Sequence, residues 1–128
     1  MDEIQAETKS VAPVEILRHR AAIRRTEPSL PLKCLVRDNL LTDGTTFFDY
    51  GCGYGDDLEQ VKRLGFLANG WDPAYRPDEA VCEADIVNLG YVINVIEDQS
   101  EREETLRAAW RLAKKVFAVA ARIAVDGT

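Results

Sequence analysis

The stretch from Thr45 to Trp71 constrains the fold of this chain more than any other. It opens with β-branched and aromatic residues (Thr45 to Tyr50), passes three glycines at alternate positions (Gly51, Gly53, Gly55), and becomes amphipathic from Asp56 to Leu64. Gly65 stops that segment, and a second apolar run follows from Phe66 to Trp71. Leu58, Val61 and Leu64 recur at helical spacing, whereas the flanking runs have the composition of buried strands. Strand, helix and strand in succession make a parallel crossover, and parallel strands are buried on both faces beneath helices. The order then repeats. Ala84 to Val87 begins a third clear strand, and Val116 to Ile123 is a final apolar one. Between them Ser100 to Lys115 is a helix, with Ser100 and Glu103 as its capping box and Leu106, Trp110 and Ala113 as its inner stripe. The expected fold is α/β and Rossmann-like, a parallel sheet with flanking helices.

The rest of the chain frames this unit. A length of 128 residues corresponds to one domain. Residues 1–12 are polar and aperiodic, a flexible start. Residues 13–44 form an N-terminal helical segment. In it Val14, Leu17 and Ala21 share a stripe, Ser29 caps a second helix with Pro31 in its first turn, Leu32, Leu35 and Val36 face inward, and Thr42-Asp43-Gly44 turns the chain. Residues 45–128 are the core.

Composition removes several function classes. No apolar run has the length of a membrane span, and no signal-peptide pattern opens the chain. Cys34, Cys52 and Cys82 are an odd set without paired spacing, and His19 is the one histidine, so neither a metal site nor a disulfide framework assembles; a reducing cytoplasm fits. The net charge of −6 argues against nucleic acid bound over the whole surface. Residues 17–38 nevertheless carry six cations (Arg18, Arg20, Arg24, Arg25, Lys33, Arg37) against Glu27 and Asp38. That local excess reads either as a solvated helix face or as a basic surface for nucleic acid.

The glycines point to a ligand. Following a strand and preceding a helix, Gly51 can make the sharp turn, Gly53 can present bare backbone, and Gly55 can admit close packing of helix on strand. Asp72, 21 residues after Gly51 at the end of the second strand, stands where an acid reaches a ribose diol. Trp71 flanks it, packing near an adenosine or as plain core. The dinucleotide pattern wants a glycine where Asp56 stands. A pyrophosphate also prefers a helix start free of negative charge, whereas Asp49, Asp56 and Asp57 surround this one. A ligand with a sulfonium, an α-ammonium and a ribose diol, S-adenosylmethionine (SAM), suits the loop better than NAD, with Asp49 near the ammonium.

At these residues the sequence resembles the class I SAM-dependent methyltransferases: FDYGCGYG as the first motif, GWDP as the second and ADIVNLGYVINVIED at the fourth strand. More narrowly, HRAAI (19–23), DYGCGYGDD (49–57), GWDP (70–73), NLGYVINVIE (88–97) and ER (101–102) resemble the methyltransferases associated with DNA phosphorothioation gene clusters. The resemblance implies a SAM cradle of Gly51, Gly53 and Gly55, with the backbone of Asn88, Leu89 and Gly90 lining the cofactor. Members of class I usually continue past the fifth strand, so a sheet ending near Val125 implies truncation there and a C-terminal remainder of a longer protein. Ala74 to Cys82 is too short and proline-broken for the usual third strand and helix, leaving Glu83 and Asp85 as the candidates for an adenine-contacting acid. Amino-group methyltransferases of nucleic acids place an Asn/Asp-Pro-Pro-aromatic tetrad after the fourth strand. Asn88 and Tyr91 match its outline as candidate catalytic residues, but Leu89 and Gly90 replace both prolines. The implied activity is methyl transfer, with nucleic acid as a candidate acceptor. A non-catalytic SAM- or nucleotide-binding module of a larger complex, and a structural domain docking through residues 17–38, are the other readings.

Overall fold

The structure, a computed structural model, describes residues 26–123. The stripe at Val14, Leu17 and Ala21, His19, the arginines Arg18, Arg20, Arg24 and Arg25, and the start over residues 1–12 lie outside the described residues.

Helix α1 (Leu30–Arg37) is followed by β1 (Thr46–Tyr50), α2 (Asp56–Arg63), β2 (Leu67–Trp71), β3 (Ala84–Gly90), a 3-10 turn (Ile93–Val95), α3 (Gln99–Leu112) and β4 (Ala113–Ala120). The strands form one sheet in the order β2-β1-β3-β4, and every pairing is parallel. Because β1 is central, its consecutive residues Phe47 and Phe48 are both buried, each toward a different layer. Phe47, Ala68 and Ile86 pack with Leu32 and Leu35 of α1 and Leu58 and Val61 of α2. Phe48, Tyr50, Val87 and Leu89 pack with Ala109 of α3. Three layers result, with α1 and α2 on one face of the sheet and α3 on the other.

The helix termini show how local chemistry sets these boundaries. Ser29 caps α1, its side chain accepting from the Leu32 N–H, and Pro31 occupies the first turn, as the sequence implied. Val36, expected inward, is instead 43% exposed. Gly65 stops α2: its N–H donates to the Lys62 carbonyl and the Phe66 N–H to the Val61 carbonyl. Helix α3 departs from expectation at both ends. Its cap is Asp98, whose carboxylate accepts from the Glu101 N–H at 2.8 Å, so the helix starts before Ser100. Ala113 has extended backbone and opens β4 directly, without a loop. The inner face of α3 is Thr105 and Ala109, while Trp110 is 65% exposed with its ring against the edge of Phe117. Small residues let the helix lie close to the sheet, and the indole finds its apolar contact at the rim.

Between β2 and β3 no strand forms; residues 72–83 hold one isolated bridge, Asp72 to Arg76. Strand β2 is therefore an edge of the sheet.

Candidate functional site

From β1 the chain crosses to β2 on one side and later returns as β3 on the other. The reversal between β1 and β3 opens a crevice at the carboxyl ends of the strands, the place where folds of this type bind ligands. Register puts Asp49 of β1 beside Asn88 of β3 at that point.

The glycine loop sits directly above. Gly51, Gly53 and Gly55 have φ of +86°, +58° and +88°, a left-handed backbone that side chains resist. The Gly51 and Cys52 N–H groups donate to the Trp71 carbonyl at 2.7 and 3.0 Å, folding the loop over the end of β2. A Cβ on Gly51 would stand 2.6 Å from Val92, and one on Gly55 2.5 Å from the Arg76 guanidinium. Gly55 thus makes room for Arg76, which also donates to the Tyr54 carbonyl, and not for packing of helix on strand. That packing role belongs to Gly70 of β2, where a Cβ would meet Leu58 at 2.6 Å and Cys52 at 3.0 Å.

Asp72 is at the mouth of the crevice and ties the loop down. One carboxylate oxygen accepts from the Gly53 N–H at 2.8 Å, the other from Ala74 and Tyr75 at 2.8 and 3.1 Å. A carboxylate has about four lone-pair positions, so about one remains for a ligand. Beside it the Tyr54 and Tyr75 rings meet at 4.4 Å. Trp71 lies in the layer below, tilted against Tyr50 at 5.3 Å.

Asp49 is buried, accepting from Asn88 Nδ2 at 3.1 Å. Burial above all, then the nearby Asp57 and more weakly Asp72, pushes its carboxyl up to about 7, against the opposing Asn88 hydrogen bond. Asn88 is 2% exposed, and its Oδ1 is a buried acceptor without a hydrogen-bond partner. Burial likewise pushes the Cys52 thiol up to about 12, so this cysteine is no thiolate nucleophile. The acids of α2 divide differently from expectation. Asp57 turns away from the loop and accepts from both the N–H (3.0 Å) and the hydroxyl of Ser29, binding the start of α2 to the start of α1. Sequence reasoning missed this link because the partners are 28 residues apart.

The remaining candidates scatter. Asn88 is directed to Asp49, whereas Tyr91, at φ +60°, donates its N–H to the Ala120 carbonyl and lies beneath Arg122 at 5.2 Å. The structure does not assemble these two as a tetrad. Leu89 is buried against the α3 layer, and Gly90 leaves space that a Cβ would take from Asn88 Nδ2 at 3.2 Å. Asp85 accepts from the Thr46 N–H and hydroxyl at the amino end of the sheet, so it and the preceding Glu83 stand at the wrong end for an adenine contact. Of the basic segment, Lys33 pairs with Glu27 and Arg37 with Asp38, both on the surface. Among the described residues no cluster of His, Cys, Asp and Glu is arranged to hold a metal, and no helix is long and apolar enough to cross a membrane.

No protein-family model matches this chain, and no curated protein matches it. Among solved structures it is similar to SAM-bound CalS10, an amino pentose methyltransferase from Micromonospora echinaspora involved in calicheamicin biosynthesis. The likeness covers 97% of this chain and 64% of that one, with a TM-score of 0.55 and 17% identity. This parallel sheet with helices on both faces is therefore an α/β, Rossmann-like fold, of the kind on which that methyltransferase is built.

Proposed function

We propose that this chain is the SAM-binding domain of a SAM-dependent methyltransferase. The observation that carries the reading is a buried carboxylate, Asp49, with no cation acting on it among the described residues, at the strand reversal and under a glycine loop fastened by Asp72. A pyrophosphate would bring negative charge to this group, whereas an α-ammonium relieves it. Asp49 and Asp72 would hold the amino-acid and ribose portions, and the bare loop backbone would lie against the cofactor. When bound, SAM supplies an electrophilic methyl group on sulfur. Methyl transfer needs in-line placement and exclusion of water more than a base, and the buried floor formed by Asp49 and Asn88 suits that demand.

The excess of cations in the segment 17–38 supports nucleic acid as the acceptor in a DNA-modification setting. A second reading, a SAM-sensing module without catalysis, is favoured by one feature: Asn88 is committed to Asp49 and stands apart from Tyr91.

Calorimetric titration tests the proposal. SAM is expected to bind and NAD not, and Asp72→Ala to weaken SAM binding by about tenfold or more, since a hydrogen bond to a charged group and the loop anchor are both lost. A folded sample that ignores SAM would sink the proposal. Transfer of a labelled methyl group to DNA, RNA or protein then separates enzyme from sensor.

A further inference from the structure

Resting on the SAM reading, we infer that the Asn88 side-chain carbonyl joins the Asp49 carboxylate as an acceptor pair for the ligand's primary ammonium, so that the amino group is a principal determinant of recognition. Asn88 is then a ligand-binding residue for the cofactor and not a hydrogen-bond acceptor for a methyl acceptor's amine.

Three observations carry this. First, Asn88 Oδ1 is buried and lacks a partner, although unpartnered buried acceptors are rare and cost about 1–3 kcal/mol. Its amide Nδ2 is already given to Asp49, which leaves the carbonyl of the same group beside that carboxylate. Second, among the described residues the groups acting on Asp49 include no cation. Asp57, although bonded to Ser29, acts on it as a like charge from α2, as does Asp72 from the end of β2, while the neutral Cys52 thiol neighbours it from the loop and the Asn88 amide bonds it from β3. Arg76, the neighbouring cation, lies over Gly55 and bonds the Tyr54 carbonyl. Third, Gly90 keeps a Cβ away from the Asn88 amide, where it would crowd Nδ2 at 3.2 Å. An ammonium has three donors and a positive charge. It satisfies the orphan carbonyl and the carboxylate together, which a hydroxyl, a phosphate or a water cannot match in charge.

The pair also fixes a proton count. At neutral pH Asp49 holds a fraction of a proton. Docking a cation against it favours the carboxylate, so the proton leaves to solvent as the ligand binds.

The experiment compares two ligands that share adenosine and sulfur: S-adenosylhomocysteine, which carries the ammonium, and methylthioadenosine, which lacks the amino-acid portion. Asn88→Leu, which removes both polar atoms at similar volume, is expected to weaken S-adenosylhomocysteine about tenfold or more and to leave methylthioadenosine within about twofold. Equal losses for both ligands would overturn the inference while leaving the SAM reading intact. Should the variant misfold, the wild-type chain decides. Between about pH 5.5 and about pH 7.5 the affinity for S-adenosylhomocysteine is expected to rise, with proton release seen as a dependence of binding heat on buffer ionisation; methylthioadenosine should show neither. The same pH profile for both ligands overturns the inference. Wild-type protein that binds neither ligand fails the SAM reading itself.

Discussion

Asp49 is a carboxylate taken out of water beside two others, Asp57 and Asp72, and its carboxyl titrates near 7 against an ordinary value of 3.8. The folded chain therefore holds a proton over a pH range in which the unfolded chain has released it. The resulting stability is fully present below about pH 4 and is lost as pH rises through about 7. Asp49→Asn removes the titration, and its amide can donate to the orphan Asn88 carbonyl. This variant is expected to be more stable than wild type at about pH 8, by on the order of a few kcal/mol, and to differ little at about pH 4. Urea denaturation at the two pH values checks this, and a gain of equal size at both would refute the buried-charge account. A residue that destabilises the fold at working pH and can be improved so simply has another reason to be there. The proposed ammonium ligand would supply that reason.

At the scale of elements, the loop between β1 and α2 is where shape is most demanding. Gly51 combines a positive φ with a Val92 methyl 2.6 Å from the space a Cβ would fill. Gly51→Ala should cost about 2–4 kcal/mol, of which about 1–2 is backbone strain and the remainder overpacking. Adding Val92→Ala should restore the overpacking part alone, giving a favourable coupling of about 1 kcal/mol or more in a double-mutant cycle. Additive losses would mean that Val92 does not set the limit. The glycines were legible in sequence because spacing after a strand is a local signal, and β1, α2 and β2 were legible for the same reason. What escaped was set by partners distant in the chain. Gly55 answers to Arg76, 21 residues on; Asp57 answers to Ser29; Asn88 answers to Asp49 across a register that only the folded sheet defines. Helix α3 shows the complementary error. Trp110 looked like the largest inward residue, but Ala109 holds the buried position and Trp110 is exposed.

Over the whole molecule, the two ends of the sheet do different work. At the carboxyl end Asp49 and Asn88 are groups that the fold alone would not favour. At the amino end Asp85 accepts from the Thr46 N–H and hydroxyl, and the Thr46 hydroxyl accepts from the Asp85 N–H at 2.9 Å, a closed arrangement that fixes β1 against β3. The Thr46 N–H above all, and its hydroxyl, hold the Asp85 carboxyl below the usual range. Its contribution is therefore present above the ordinary carboxylate pKa and is lost as pH falls through the lowered value, the reverse of Asp49. The sequence could show that Thr45 to Tyr50 is a strand, but not that Asp85 meets it 39 residues later at the end opposite the glycines. This division predicts that stability and ligand binding can be changed separately. Thr46→Val keeps the strand-forming shape and removes the hydroxyl, so the urea midpoint should fall while affinity for SAM stays within about twofold, as for independent distant sites. Asp49→Asn should do the opposite, raising the midpoint at about pH 8 and weakening SAM by about tenfold or more. Measuring midpoint and affinity on both variants tests the separation. If Thr46→Val weakened SAM as much as Asp49→Asn, the amino end of the sheet would have to be counted as part of the site, and the register between β1 and β3 would be what the ligand senses.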